Sequence, residues 1–239
     1  MKEYIASLFE NCSSFEETSL TDNYFYDDIF IYLKDQNNLK YLNGASKAVL
    51  VPKETDYVIK IPFTGYFEKD WKKEDYIFYN FEGAEDDENH WNYCLKEIHI
   101  YEKAKAANVE KVFLKTAYEG DISDFPIYSQ PKISTFVEDG HVTCSNEELD
   151  STRAKVREKN FNVFSPTWLF HAFNYYGDDY IFRLLSFIKE EHISDLHSGN
   201  LGWLGDRPVI VDYAGFESWC WLAKANQLQE RKRRNNNEA

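Results

Sequence analysis

Three oxygen-bearing side chains towards the end of the sequence have the types and spacing to bind a cation and move a proton. Asp195 and Asn200 bound the segment Asp-Leu-His-Ser-Gly-Asn, and Asp212 ends the apolar run Val-Ile-Val. The apolar runs 201–204 and 208–211 flank a turn-like Gly-Asp-Arg and predict a β-hairpin. If the hairpin closes symmetrically about Asp206, Asn200 and Asp212 face each other at its open end.

This arrangement is typical of a magnesium site with a base beside it. Mg²⁺ prefers oxygen ligands, and proteins hold it with one or two carboxylates together with the phosphates of a nucleotide. Asn200 and Asp212 are therefore candidate metal ligands. Asp195, on the loop at the same end of the hairpin, is a candidate general base that accepts the proton of an attacking hydroxyl.

The segment D-L-H-S-G-N followed by V-I-V-D resembles the catalytic loop and metal-binding strand of protein-kinase-like phosphotransferases. Its D-L-H-x-G-N form is typical of the aminoglycoside and choline kinase branch, and it also resembles the small protein kinases of some lytic phages. The resemblance implies ATP and Mg²⁺ as cofactors, Asp195 as catalytic base, and Asn200 and Asp212 as magnesium ligands. His197 replaces a lysine of the usual loop, where it either helps to position the transferred phosphate or bonds the loop backbone.

The same resemblance requires a lysine and a glutamate upstream. Lys60 lies in Val-Ile-Lys-Ile, which resembles the V-A-I-K strand motif, and would hold the α- and β-phosphates. Apolar residues at helical spacing predict a helix over 89–107. Glu97 borders its apolar stripe and is the candidate partner of Lys60, with Glu102 as the alternative.

The glycine-rich loop that covers the phosphates in this family is only partly present. Gly44 has the family spacing to Val49, whereas Leu42 and Lys47 stand where other glycines would be. Ser46 or Lys47 could contact the phosphates instead. The segment 125–132 is the predicted hinge, and the predicted nucleotide-binding residues are Gly44, Ser46, Lys47, Val49, Lys60, Glu97 and Gln130.

Several departures from the family pattern leave the function open. Ile193 and Ser194 replace the His and Arg that precede the catalytic Asp of most protein kinases, and no A-P-E segment follows Asp212. The 27 residues after Asp212 are too few to form the helical platform with which larger protein kinases hold a peptide. Three functions are consistent with these features: a minimal protein Ser/Thr kinase, a small-molecule kinase, and a nucleotide-binding pseudokinase that docks a partner.

The amino-acid composition limits the classes of molecule that the protein is expected to bind. The 239 residues are 43% hydrophobic, and 41 acidic against 27 basic residues give a net charge of -14, which disfavours nucleic acid. The four cysteines form no C-x-x-C pair, and no stretch of about 18 apolar residues exists. We expect a cytoplasmic protein with no membrane contact, whose partner besides ATP is a protein substrate or docking partner.

The expected fold is α+β, a bilobal kinase-like domain with a small antiparallel-sheet N-lobe and a reduced helical C-lobe. Residues 1–40 form an acidic and aromatic extension, 41–132 the N-lobe with an acidic insertion at 65–92, 133–223 the C-lobe and 224–239 a basic tail. Within these, we predict a hairpin over 48–61, strands at 112–114 and 126–128, a helix starting at Ser165-Pro166 and another over 180–188.

Overall fold

The structure is a computed structural model of the chain. It describes residues 4, 7, 39–43, 47–62, 65–70, 75–80, 92–122, 125–135 and 144–214. At 65–70, 75–80 and a few other strand positions it describes the backbone alone. The expected α+β class is confirmed, because the described part contains antiparallel sheets and α-helices in separate stretches of the chain.

The described residues divide into two compact units. The first contains those up to Leu95 together with Ala117–Ser129, and the second contains Lys96–Thr116 and those of Gln130–Gly215. No single point in the sequence therefore separates the two units, because each unit contains segments that are distant in sequence.

The first unit contains a five-stranded sheet in the order β1-β2-β3-β7-β6. Its strands are β1 (Leu39–Asn43), β2 (Lys47–Pro52), β3 (Tyr57–Pro62), β6 (Ala117–Ile122) and β7 (Phe125–Pro131). The predicted hairpin is confirmed as β2 and β3, whose register pairs Val49 with Lys60 and Leu50 with Ile59. Since side chains alternate between the faces of a strand, Val49 and Lys60 share one face and Leu50 and Ile59 the other.

A second hairpin in the first unit lies inside the predicted acidic insertion. It is formed by β4 (Gly65–Asp70) and β5 (Asp75–Asn80), which pair antiparallel as a separate two-stranded sheet. The sequence did not predict this hairpin, because its two short aromatic-rich runs with good strand propensity lie within a strongly charged segment.

Helix α1 (Tyr93–Ala106) corresponds to the helix predicted over 89–107. Its start differs from the prediction because Asn92 acts as the cap, accepting the backbone N–H of Leu95 through its side-chain oxygen at 3.0 Å. Residues 89–91 lie outside the described part. The helix ends before Asn108, which takes the left-handed conformation with a φ of 55°.

The second unit is built on three further helices, α2 (Asn146–Glu158), α3 (Pro166–Tyr176) and α4 (Asp178–Glu190). The predicted start of α3 at Pro166 is confirmed, but Ser165 makes no side-chain capping bond. The fully buried core of this unit includes Trp168, Leu184 and Val156, one from each helix. None of the described helices is long and apolar enough to cross a membrane.

The strand predicted at 112–114 is wrong. Residues Glu110–Val112 form a 3₁₀-helix, and Phe113 makes a single parallel bridge to Ile210. Val112, Phe113 and Leu114 are each 2% exposed or less, so this apolar run reflects packing in the core rather than a strand. A short apolar run cannot by itself distinguish the two.

The environment of His171 on α3 is expected to make the stability of the fold decrease at acidic pH. Burial, only partly opposed by the charge of Glu148, lowers the pKa of His171 below its ordinary value of 6.5. Its Nε2 has no hydrogen-bond partner among the described residues, so the neutral ring is favoured in the folded state. Because the pKa of His171 is lower in the folded than in the unfolded state, the unfolded chain binds a proton at this residue more readily. The contribution of neutral His171 to stability is therefore complete above the unfolded-state pKa and is lost as the pH falls through the folded-state pKa.

Urea unfolding of the wild type and of His171→Gln at several pH values measures this contribution. The free energy of unfolding should fall more steeply between neutral and mildly acidic pH in the wild type than in the variant. His99→Gln, at an exposed position of α1, is the matched control and should follow the wild type. Parallel curves for all three proteins would contradict the assignment.

Candidate active site

The hairpin at the centre of the candidate site is formed by β9 (Leu201–Leu204) and β10 (Arg207–Ile210), and β8 (Ser134–Thr135) completes a three-stranded sheet. The register pairs Leu201 with Ile210 and Leu204 with Arg207. The hairpin therefore closes through the two-residue turn Gly205-Asp206 and not through the three residues Gly205-Asp206-Arg207 that the sequence suggested. Gly205 has a φ of 65°, which short hairpin turns of this kind require.

This register corrects the predicted pairing of Asn200 with Asp212. The residue opposite Asn200 is Val211, whose N–H donates to the Asn200 carbonyl at 2.8 Å. Asp212 follows directly, so it leaves the hairpin diagonally across from Asn200. The prediction that both residues lie at the open end of one hairpin is confirmed, but they do not form a directly opposed pair.

Asp212 has an unusual backbone conformation. Its φ is 50°, in the left-handed region that few residues other than glycine, asparagine and aspartate adopt. Strained conformations persist where the surroundings impose them and are frequent at functional sites. Here the constraint comes from Val211, bonded to Asn200, on one side and from the fully buried Tyr213 on the other.

Asp195 and Asn200 are brought together as predicted. The side-chain amide of Asn200 donates to the Asp195 carbonyl at 2.8 Å and reaches its carboxylate Oδ2 at 3.3 Å. Asn200 is 7% exposed and ends a short 3₁₀-helix (Ser198–Asn200), whereas the Asp195 side chain is 41% exposed. Buried Leu196 anchors the loop between them. One buried amide thus orients an accessible carboxylate.

His197 bonds the backbone of the loop, which was one of its two predicted roles. Its Nδ1 accepts the Gly199 N–H at 3.0 Å, and its Nε2 lies 3.6 Å from Oδ1 of Asp195. The ring is 60% exposed. Its contact with a transferred phosphate stays a prediction.

The predicted lysine and glutamate are both buried ionisable groups. Lys60 lies on β3 in the first unit at 3% exposure, and Glu97 lies on α1 in the second unit at 0%. Ionisable side chains are buried in this way only when they are paired or otherwise stabilised. The alternative, Glu102, is exposed and pairs with Lys105 at 2.6 Å.

The other predicted nucleotide-binding residues differ in environment. Lys47 is 1% exposed, with its Nζ 6.0 Å from the centre of the Tyr93 ring, and Val49 is half-buried on the same face of β2. Gln130, near the end of β7, is 2% exposed and its amide is bonded within the protein. Gly44 and Ser46 lie outside the described residues.

A buried polar network in the second unit was not found from the sequence. The Thr116 hydroxyl donates to Glu97, and the Gln130 amide donates to Thr116 at 3.0 Å and to the Leu114 carbonyl at 2.9 Å. The Tyr213 hydroxyl donates to the same carbonyl at 3.1 Å. The network connects Glu97 to the residue that follows Asp212. Its only signal in the sequence is polar residues within otherwise apolar segments.

The network predicts a modest effect of Tyr213→Phe. Burial, and then the charge of Glu97, raise the pKa of the Tyr213 hydroxyl far above its ordinary value, so it remains a donor. Its loss should lower the free energy of unfolding by about 1 kcal/mol, because the Leu114 carbonyl keeps its bond from Gln130. Urea unfolding measures the change, with Tyr175→Phe at a 47% exposed position as the control. A change of several kcal/mol, or none relative to the control, would contradict this interpretation.

No group of three or more His, Cys, Asp or Glu side chains that could hold a metal occurs in the described part of the chain. The predicted magnesium site is of another kind, with one carboxylate and one amide. Since the Asn200 nitrogen is used by Asp195, its side-chain oxygen is the atom that remains to face a cation. This donor set fits Mg²⁺, which takes oxygen ligands and retains several waters.

Comparisons with known proteins give little further information. No protein-family model matches the chain, and no curated protein sequence matches it. Among solved structures, the chain is similar to a ternary complex of streptomycin, ATP and the aminoglycoside phosphotransferase APH(2″)-IIa. The match has 14% sequence identity, covers 82% of this chain and 73% of that chain, and has a TM-score of 0.31. At these values the likeness supports no inference about the chemistry of this chain.

Proposed function

We propose that the protein is an ATP- and Mg²⁺-dependent phosphotransferase that acts on a serine or threonine hydroxyl of a protein. The observation that carries the proposal is the bond from the buried Asn200 amide to the accessible Asp195 carboxylate, at the end of a hairpin that leads directly into Asp212. This joins a base and two oxygen ligands in one short stretch of structure.

Asp195 would act as the general base. As the acceptor oxygen attacks the γ-phosphorus, its proton passes to the Asp195 carboxylate and the bond from the γ-phosphorus to the leaving oxygen of ADP breaks. Because Asn200 holds both the carbonyl and the carboxylate of Asp195, the base needs little reorientation before reaction. Its 41% exposure leaves room for a hydroxyl carried by another molecule.

Asn200 and Asp212 would hold the metal through one amide oxygen and one carboxylate. A metal held there would supply positive charge against the negative charge that develops on the phosphate. We assign to Lys60 the α- and β-phosphates, with Glu97 as its partner, because the resemblance implies these roles and both groups are buried. These two roles stay predictions.

A second candidate function is a nucleotide-binding docking module that transfers no phosphate. Lys47 favours it, because it stands where the family has a glycine and its side chain is buried against Tyr93. A side chain at such a position restricts how closely the backbone can approach a phosphate. A small-molecule kinase, suggested by the D-L-H-x-G-N spelling, is the third candidate.

Two measurements separate the candidates. Thermal shift with ATP, with and without Mg²⁺, reports binding. Transfer from γ-labelled ATP to proteins of a cell lysate, and separately to aminoglycosides and amino alcohols, reports activity. Protein labelling that is lost with EDTA supports the protein kinase, binding without transfer supports the docking module, and the absence of Mg²⁺-dependent binding contradicts the proposed function.

A further inference from the structure

Gly199 in the candidate catalytic loop leaves open the space beside the His197 ring. A Cβ built on Gly199 would lie 2.8 Å from Cε1 and 3.1 Å from Nδ1 of His197. Contacts under 3.0 Å essentially never occur for real Cβ atoms, so one of the two groups would have to move. Gly199 is not among the described glycines with positive φ, so alanine would meet no backbone strain of its own.

The contact between His197 and the Gly199 backbone selects one tautomer of the neutral His197 ring. The ring lies against the Gly199 backbone and accepts its N–H through Nδ1 at 3.0 Å. A neutral imidazole that accepts through Nδ1 carries its proton on Nε2. The nitrogen that carries the proton is therefore the one that lies 3.6 Å from Oδ1 of Asp195.

The Asp195 carboxylate consequently has a donor beside each oxygen. Oδ2 lies 3.3 Å from the Asn200 amide nitrogen, and Oδ1 faces Nε2 of His197. Both distances are longer than a normal hydrogen bond, as is common for catalytic groups before substrate binds. Each carboxylate oxygen has two lone pairs, so one remains to take a proton from an acceptor hydroxyl.

We propose that Gly199 and His197 form a positioning pair for Asp195. Gly199 leaves the space in which the ring lies and supplies the N–H that selects the tautomer, and His197 uses its other nitrogen to orient the carboxylate. This proposal rests on the proposed role of Asp195 as the general base, and it adds Gly199, which sequence analysis passed over.

A double-mutant cycle tests the pair through activity. Gly199→Ala and His197→Ala should each lower kcat for phosphoryl transfer by about 10- to 100-fold, with little change in KM for ATP. The double variant should be no worse than His197→Ala, because no ring is left for the new methyl group to displace. Independent, additive losses would overturn the proposal, as would a Gly199→Ala enzyme with wild-type kcat.

A conservative variant provides the rescue arm. His197→Asn keeps an oxygen that can accept the Gly199 N–H and a nitrogen that can donate, so it should retain more activity than His197→Ala. Equal loss in the two variants would argue against a positioning role.

A spectroscopic test needs no activity. With ¹⁵N-labelled histidine, above the pH at which an ordinary histidine is protonated, wild-type His197 should show the Nε2–H tautomer. Gly199→Ala should shift its ring signals towards the mixture seen for a free histidine, while a thermal melt shows that the protein is folded. Unchanged ring signals would overturn the proposal. Loss of the tautomer preference without any transfer by the wild type would instead support the pairing and contradict only the phosphotransferase function.

Discussion

Replacing Asp195 by asparagine is expected to lower kcat for phosphoryl transfer by about 1,000-fold, within the range by which positioned general bases act. Asparagine has nearly the same shape and still offers an oxygen to the Asn200 amide, so the loop contacts at 2.8 and 3.3 Å can persist. It cannot take the proton of the acceptor hydroxyl at neutral pH. Affinity for Mg²⁺-ATP should change little, which isothermal titration calorimetry measures alongside the rate.

Asp206→Asn is the matched control for this substitution. Asp206 is an exposed carboxylate in the turn at the opposite end of the same hairpin, so the variant changes the same charge without touching the loop. It should transfer phosphate at the wild-type rate. If Asp195→Asn keeps a rate within a few-fold of the wild type, the base lies elsewhere.

Replacing Asp212 by asparagine is expected to lower transfer by roughly 100-fold or more and to raise the Mg²⁺ concentration needed for half-maximal activity. The substitution removes the carboxylate from the proposed ligand pair, leaving neutral amide oxygens at both positions. Asparagine is well tolerated in the left-handed region, so the φ of 50° at this position should be maintained. Stability should therefore stay close to that of the wild type.

Asp212→Ala separates the loss of the ligand from the strain of the backbone. Alanine in this conformation costs about 1–2 kcal/mol, so the alanine variant should be less stable than the asparagine variant and similarly inactive. Urea unfolding and a Mg²⁺ titration of activity distinguish the two effects. An asparagine variant with wild-type Mg²⁺ dependence would remove Asp212 from the metal site.

The parts of the fold that sequence analysis predicted correctly depend on local patterns. The β2–β3 hairpin follows from two β-rich runs around a polar turn, and the start of α3 from a proline, whose fixed φ suits the first helical position. The contact of Asn200 with Asp195 is also local, because five positions of chain and one buried leucine between them limit how the loop can fold.

The sequence predicted the structure wrongly where contacts with distant segments or the backbone conformation determine it. The register of the β9–β10 hairpin depends on whether the turn has two or three residues, and both choices leave the same apolar pattern in the strands. The run at 112–114 is buried in the core without forming a strand, because the residues that pack against it come from elsewhere in the chain.

The Asp195–Asp212 stretch shows most clearly which features the sequence determines and which the tertiary structure decides. The amino-acid sequence alone determined which side chains could form the site, because residue type and spacing within the Asp195–Asp212 stretch specify the possible chemistry. Only the tertiary structure decided that Asn200 faces Val211, that Asp212 is left-handed, and that the His197 ring lies against Gly199. The physical reason is that register, backbone handedness and close contact are set by packing and hydrogen bonds between segments, which no single stretch of sequence contains.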